Sequence, residues 1–174
     1  GYPISGLGEK YLWLGQSYFL GIPMAVYAMV IIVILFSIFR NMTTTGRRIF
    51  AMGGNEEATR ISGINTTRLK ILCFVLSGVT AAFAGIMNAS KLGVSQPTAG
   101  TGFEMDAIAS VVIGGSSLSG GEGTVTGTII GAAIISVLRN ALVLLSVDSY
   151  FQTLIIGTVI IVAVSIDQIR KSRS

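Results

Sequence analysis

A glycine-rich stretch, "SLSGGEGT" at 117–124, carries the residues whose types and spacing suggest chemistry most directly. Its Leu118–Gly121 part reads Leu-Ser-Gly-Gly, a sequence with which some ATPases contact the phosphate groups of a bound nucleotide. Such an ATPase also needs a Gly-x-x-x-x-Gly-Lys-Ser/Thr phosphate loop and a strand that ends in an Asp or Glu to hold magnesium. The sequence has neither, and its nearest approach to a phosphate loop, Gly115–Gly120, lacks the Lys. We therefore predict a glycine-rich turn between two membrane elements, where positive φ and close backbone approach are needed.

The composition is that of a membrane protein. Only 11% of the 174 residues are charged and 51% are hydrophobic, whereas a soluble domain is typically about 25% charged. There is no His and a single Cys, Cys73, so a disulfide within the chain and a Cys/His zinc site are both excluded. A membrane-embedded enzyme would need clustered His, Asp or Glu at membrane depth. The apolar runs contain almost no acidic residues, which argues against this class of protein. We expect no cofactor, no metal and no catalytic residue.

The apolar runs predict an all-α, polytopic bundle of membrane helices with about four full spans and one short broken or re-entrant segment. The predicted spans are Leu20–Phe39, Ile71–Asn88, Thr124–Val147 and Phe151–Ile166. The short segment, Ala107–Gly121, has too few apolar residues to cross a bilayer. Backbone of this kind persists at membrane depth only if it is buried in protein or lines a cavity.

Small residues at four-residue spacing predict where these helices pack closely. Ser77, Ala81 and Gly85 form one such row, and Gly127 and Gly131 form a literal Gly-x-x-x-Gly motif. In lipid, rows of this kind allow two helix backbones to approach each other.

The basic residues predict the orientation of the chain. Because positive charge gathers in cytoplasmic loops, we expect the 40–70 loop and the C-terminus to face the cytoplasm. We expect the chain to contact membrane lipid and not to bind nucleic acid. Both the loop and the C-terminus can face the cytoplasm only if the short segment also crosses, or nearly crosses, the membrane. This crossing would bring Ser117–Gly123 toward the cytoplasmic side. The basic residues concerned are Arg40, Arg47, Arg48, Arg60, Arg68 and Lys70 in the loop, and Arg170, Lys171 and Arg173 at the end.

Within the loop, the sequence predicts a short helix with a defined start and stop. Asn55 can cap its N-terminus, Glu56 and Glu57 suit the first turn, and Gly63 suits the position after its end. Asn65 or Thr66 then begins the next helix. The segment is either an ordinary solvated loop or a helix that docks into a groove of a cytoplasmic partner. The candidate docking residues are Asn55, Glu56, Glu57, Ala58, Thr59, Arg60, Ile61, Ser62, Gly63 and Ile64.

Three stretches, in order along the chain, resemble the permease subunits of ribose-type ABC importers, which include ribose, xylose, galactoside and autoinducer permeases. They read "GRRIFAMGGNEEATRISGIN", "GTGFEMDAIASVVIGGSSLSGGEGTVTGTIIGA" and "VDSYFQTLIIGTVIIVAV". The resemblance covers essentially all of residues 1–174 and implies one transmembrane permease domain whose N-terminal half is missing. The first stretch resembles the family's cytoplasmic coupling segment, and the second resembles its glycine-rich core.

The resemblance also implies a mechanism and its partners. Two permease subunits, identical or different, form a pore in a bacterial inner membrane. A cytoplasmic ATP-binding-cassette ATPase docks on the 55–63 segment, and a periplasmic or extracellular sugar-binding protein delivers a monosaccharide such as ribose. The chain itself would then be a transport subunit and not an enzyme. A branched-chain amino-acid ABC permease is the alternative, and a passive channel or structural subunit is a second one.

The remaining polar residues of the apolar segments have two readings. We expect Glu104 and Asp106 to lie in a solvated loop with Asp106 capping a helix, the alternative being contact with the binding protein or entering substrate. Arg139 is expected to snorkel or to pair with Asp148, and the alternative is a role in transport. The candidates for the translocation path or a gate are Gly114, Gly115, Ser116, Ser117, Gly120, Gly121, Asn88 and Asn140.

Overall fold

The structure is a computed structural model that describes residues 2–6 and 8–172, and helices dominate it. The helices are α1 (Glu9–Gln16), α2 (Met24–Met42), α3 (Thr44–Gly54), α4 (Glu56–Ile61), α5 (Thr66–Leu92), α6 (Phe103–Ile113), α7 (Val125–Leu144) and α8 (Ser149–Ser172). Two short antiparallel pairs complete it, β1 (Ile4–Ser5) with β4 (Val94–Ser95) and β2 (Tyr18–Phe19) with β3 (Ile22–Pro23). The predicted all-α membrane bundle is confirmed.

The chain divides into two compact units, one of residues 1–48 and 64–101 and the other of residues 49–63 and 102–174. The predicted single domain over 1–174 stays a prediction. The basic cluster of Arg170, Lys171 and Arg173 lies outside the residues whose side chains the structure describes.

In the first unit, α1 packs against the C-terminal part of α5. The hydroxyl of Ser90, which is fully buried, donates to the carbonyl of Tyr11 at 2.5 Å, and the Tyr11 hydroxyl donates to the carbonyl of Ile86 at 3.1 Å. Gly15 makes the approach possible, because a Cβ there would lie 2.8 Å from the Ser90 hydroxyl oxygen. Side chain to backbone hydrogen bonds therefore hold α1 along α5.

The first predicted span starts later than the apolar run indicated. The run begins at Leu20, but α2 begins at Met24, because 18–23 form a β-hairpin whose turn contains Leu20 and Gly21, both with positive φ. Pro23, which lacks an N–H, then forms the N-cap of α2 and not part of the helix. Prediction from apolarity alone could not detect this turn.

The second predicted span lies inside the longer helix α5, whose ends are set by local caps. The Asn65 side chain accepts a hydrogen bond from the amide of Arg68 at 3.0 Å, and Gly93 closes the helix in the left-handed conformation. The predicted packing of the Ser77, Ala81 and Gly85 row is not realised among the described residues. Those residues are exposed, and a Cβ at Gly85 would meet nothing within 4 Å.

In the second unit, α6 and α7 cross at very close range. A Cβ at Gly127 would overlap the carbonyl oxygen of Gly114, and a Cβ at Gly131 would overlap that of Ser110. The predicted Gly-x-x-x-Gly contact is therefore confirmed, and α6 is its partner. Ala109, Ile135 and Ile156 of this unit are nearly or completely buried, and α8 packs against α6.

Within the part of the chain that the structure describes, three helices are long and apolar enough to cross a membrane: Met24–Met42, Thr66–Leu92 and Val125–Leu144. The fourth predicted span corresponds to a shorter apolar stretch of α8, Ser149–Ser165. The predicted short segment begins earlier than Ala107, since α6 starts at Phe103 and has only 11 residues. It ends at Ile113, and the glycine-rich turn follows, as expected for a broken segment.

The helix α3 was not predicted, because the polar stretch that contains it was expected to form a loop before Asn55. Its first turn is fixed by Thr43, whose hydroxyl oxygen accepts from the amide of Gly46 at 2.9 Å. Gly46, Gly53 and Gly54 have low helix propensity, so the local sequence signal was weak.

Gly131→Ala tests the contact between α6 and α7. Overlap with the Ser110 carbonyl forces the two helices apart, which should cost about 1–3 kcal/mol. We expect the apparent Tm of the complete protein in detergent to fall by roughly 2–10 °C, measured by a thermal shift assay. Gly157→Ala is the matched control, because Gly157 is also helical but a Cβ there would meet nothing within 4 Å. An equal fall for both variants would contradict the assignment.

Candidate functional site

The short helix α4 has the capped ends that its sequence predicted. The Asn55 side chain accepts a hydrogen bond from the amide of Ala58 at 2.9 Å. At the other end, Ser62 is the C-cap, and Gly63 follows with φ +82° and donates to the carbonyl of Arg60 at 3.0 Å. The helix therefore forms a defined structural element with a start and a stop fixed by its own residues.

Most of α4 is exposed. Glu56, Glu57 and Ala58 are exposed, and the side chain of Ile61 is 78% exposed. Thr59 is the exception at 6% exposure, and its hydroxyl donates to the carbonyl of Asn55 at 2.8 Å. Thr59 anchors the helix, while Ile61 presents a large apolar side chain to the outside. Sequence reasoning did not predict that Thr59 is buried.

The glycine-rich segment between α6 and α7 is a compact turn. Gly115, Gly120 and Gly121 all have positive φ, as predicted. The amide of Gly120 donates to the carbonyl of Ser117 at 3.1 Å, and the amide of Ser117 donates to the carbonyl of Glu122 at 3.2 Å. The Leu-Ser-Gly-Gly sequence is therefore part of a self-bonded turn, and α7 starts only after the cap at Thr124.

The end of α3 lies directly against this turn. A Cβ at Gly120 would lie 2.8 Å from the carbonyl oxygen of Gly53, and a Cβ at Gly121 would lie 2.8 Å from the Cα of Gly54. Because α4 follows α3 after only Asn55, the segment predicted to dock a partner is joined to the segment predicted to line the path. The structure thus brings two of the predicted groups of residues together.

A charged pair links the other end of α6 to α7. Nη2 of Arg139 lies 2.7 Å from Oδ1 of Asp106, and the side chains are 39% and 19% exposed. This corrects two predictions. Asp106 is not a helix cap, since Gly102 is the N-cap of α6, and Arg139 pairs with Asp106 and not with Asp148, which accepts from the amide of Tyr150.

The charged pair lies in a cleft of about 600 Å³ formed by α6 and α7. Asn140 lines this cleft, whereas Asn88 belongs to the other unit. Ser110 and Ser136 also line it, and sequence reasoning missed both. The available signal was the spacing of Ser136, Arg139 and Asn140, which places three polar residues on one face of an apolar helix.

No group of three or more His, Cys, Asp or Glu that could hold a metal ion occurs among the described residues. The polar groups of the cleft are a guanidinium, a carboxylate, hydroxyls and an amide. They can form hydrogen bonds and ion pairs.

The fold and these segments define a polytopic helical membrane protein in which an exposed, capped helix follows the α3 end that contacts a glycine-rich turn. Residues 2–164 match the protein family described as "Branched-chain amino acid transport system / permease component". The chain belongs to this family of permease components.

Similar proteins are ribose and xylose permeases. The chain is 47% identical over 170 residues to the ribose import permease protein RbsC of Bacillus subtilis (strain 168), covering 97% of this chain and 53% of that protein. It is 48% identical over 155 residues to RbsC of Escherichia coli (strain K12), covering 89% and 48%. It is 40% identical over 163 residues to the xylose transport system permease protein XylH of Escherichia coli (strain K12), covering 94% and 41%. The chain thus spans about half the length of these relatives, and no solved structure matches it significantly.

The N-cap of α4 can be tested with Asn55→Ala. Removing the side-chain oxygen that accepts from Ala58 should cost about 1 kcal/mol of local helix stability. We expect the amides of residues 58–62 to exchange with solvent roughly fivefold faster, measured by millisecond hydrogen–deuterium exchange. Asn55→Asp keeps the acceptor and should retain the exchange rates of the unmodified protein. Equal exchange in the Ala variant would show that α4 is held by other contacts.

Proposed function

We propose that this chain is part of the membrane-spanning permease subunit of an ABC importer. In this function it moves a small hydrophilic solute, a monosaccharide of the ribose type, inward across a bacterial inner membrane. A separate ATPase supplies the energy, and the chain carries out no chemistry of its own. The pore would be completed by a second permease subunit, and a periplasmic or extracellular binding protein would deliver the solute.

One observation carries this proposal: the exposed helix α4 is joined, through one residue, to the α3 end that contacts the glycine-rich turn. A docking helix has to transmit a displacement as well as bind. The contact of Gly53 and Gly54 with Gly120 and Gly121 is made at close range by backbone atoms, with no flexible side chain between them. Interfaces packed in this way move together, because close-packed atoms cannot absorb a displacement.

The membrane orientation follows from this function. The 40–70 loop, and α4 with it, would face the cytoplasm where the ATPase is located, in agreement with the basic residues of the loop. The path or gate would include the turn residues Gly114, Gly115, Ser116, Ser117, Gly120 and Gly121, together with Asn88 and Asn140. A passive channel has no need of a capped, exposed helix next to such a turn.

The choice of a sugar over an amino acid as solute rests on the relatives. The family is described by branched-chain amino acid transport, but the similar proteins whose names include a solute, at 40–48% identity, are named for ribose import or xylose transport. This identity extends over 89–97% of the chain. We therefore favour a monosaccharide.

Ile61→Asp tests α4 as the docking helix. The exposed Ile61 contributes little to the fold, whereas an apolar anchor in a partner's groove is worth about 2 kcal/mol or more. We expect capture of the ATPase from the neighbouring gene by the complete permease to weaken at least about tenfold, with normal membrane insertion. Ile61→Val keeps the apolar anchor and should bind normally. Unchanged capture by the Asp variant would move the docking site elsewhere.

Gly120→Ala tests transmission separately from docking. The added methyl group would be pushed against the Gly53 carbonyl oxygen, which displaces the turn from α3. We expect the ATPase to bind normally while stimulation of its activity by the solute-loaded binding protein falls at least about fivefold, roughly 1 kcal/mol.

The control for this experiment is Gly102→Ala. Gly102 also has a positive φ, +87°, but a Cβ there would meet nothing within 4 Å. It carries the same cost of about 1–2 kcal/mol for a left-handed non-glycine residue without the contact with α3. Equal losses of stimulation in both variants would attribute the effect to backbone strain and not to transmission.

A further inference from the structure

We propose that the cleft formed by α6 and α7 binds the solute directly, with Asp106 and Arg139 hydrogen-bonding to the hydroxyl groups of a polyhydroxylated, uncharged molecule. This inference rests on the proposed import function and names the solute-contacting residues within it. The cleft volume, about 600 Å³, falls within the range of small-molecule sites in proteins.

Each wall of the cleft carries polar groups among apolar residues. On α6, Asp106 and Ser110 are four residues apart, and on α7, Ser136, Arg139 and Asn140 follow the same helical spacing. The other faces of α7 present Ile130, Ile134 and Val137, all exposed and apolar. The helix therefore has one side that is apolar throughout and another, facing the cleft, on which Ser136, Arg139 and Asn140 lie among the apolar residues Ala132, Ile135 and Val143.

Because Arg139 lies within an apolar helix, a water-filled cleft is the favoured environment for its charged side chain. It lies five residues before the end of α7, about 7 Å along the axis of a helix that is apolar enough to span a membrane. Ionisable side chains at such positions face a bundle interior or an aqueous cavity and mark substrate pathways. Both charges are partly exposed to the cleft, so their pairing leaves each of them accessible.

The charged pair has unused hydrogen-bonding capacity. A guanidinium has five N–H donors, and a carboxylate has about four acceptor sites, yet the side chains share one bond of 2.7 Å. Nε of Arg139 is buried and has no hydrogen-bond partner among the described residues. A buried donor without a partner is costly, and the solute would meet the accessible part of the guanidinium and not this atom.

This arrangement fits a neutral polyol better than an ion. Adjacent hydroxyls can accept from the guanidinium and donate to the carboxylate while the two charges stay paired. A charged solute would have to separate them. Phe103 borders the cleft and is mostly exposed, which supplies an apolar surface for the C–H face of a sugar ring.

The test uses the complete permease with its ATPase and binding protein in proteoliposomes, and radiolabelled D-ribose as the probe. We expect Asp106→Asn and Arg139→Gln to lower ribose uptake at least about tenfold, while the complex assembles and the binding protein still stimulates ATP hydrolysis. The double variant Asp106→Arg with Arg139→Asp restores an ion pair. It should recover thermal stability but not uptake, because the donor and acceptor have exchanged positions.

A second measurement separates solute binding from a structural role. In a cysteine-free background, Ser136→Cys should react with a water-soluble thiol reagent, and ribose with its binding protein should slow that reaction. Ile134→Cys, on the apolar side of α7, is the control and should not react. Failure of Ser136→Cys to react would show that another helix or lipid fills the cleft, which overturns the inference.

The outcomes distinguish the two proposals. Normal uptake in the single variants, or full uptake in the exchanged double variant, would show that the ion pair only joins α6 to α7. Absence of ribose uptake and of stimulated ATP hydrolysis in the unmodified protein would instead overturn the proposed import function itself.

Discussion

An α-helix of 11 residues is about 16 Å long, roughly half of the apolar thickness of a bilayer. The helix α6 therefore cannot cross a membrane alone, and the polar backbone groups at its ends must be satisfied within the protein. The rest of the second unit meets this constraint. Gly127 and Gly131 bring the backbone of α7 against α6. Backbone hydrogen bonds within the glycine-rich turn satisfy the amides of Ser117 and Gly120. The charged pair joins the two helices near the N-terminal end of α6.

The two ends of α6 carry different tasks in the proposed mechanism. Its C-terminal end leads through the turn to Gly120 and Gly121, which touch α3 and so lie next to the docking helix α4. Its N-terminal end carries Asp106 and the cleft. A displacement of α4 would thus reach the cleft through one short, rigid helix, which is a contiguous physical connection between the two sites.

The features of this structure that are set by residues close together in the sequence could be predicted from the sequence. The caps at Asn55, Gly63 and Asn65 follow from local chemistry, and the structure contains all three. The contact at Gly127 and Gly131 was predicted as a motif, although its partner helix was not. The Asp106–Arg139 pair joins residues 33 positions apart, and no local pattern identifies such a partner. The helix α3 was missed because its glycines weaken the local signal, and the hairpin before α2 lay hidden in an apolar run.

The neutrality of the Asp106–Arg139 pair also has an electrical consequence. A single charge that crosses the full membrane voltage exchanges about 2.3 kcal/mol with the field per 100 mV. Two opposite charges 2.7 Å apart that move together carry no net charge through that field. When α6 and α7 move together, this pair would therefore add almost no electrical work to the movement of an uncharged solute.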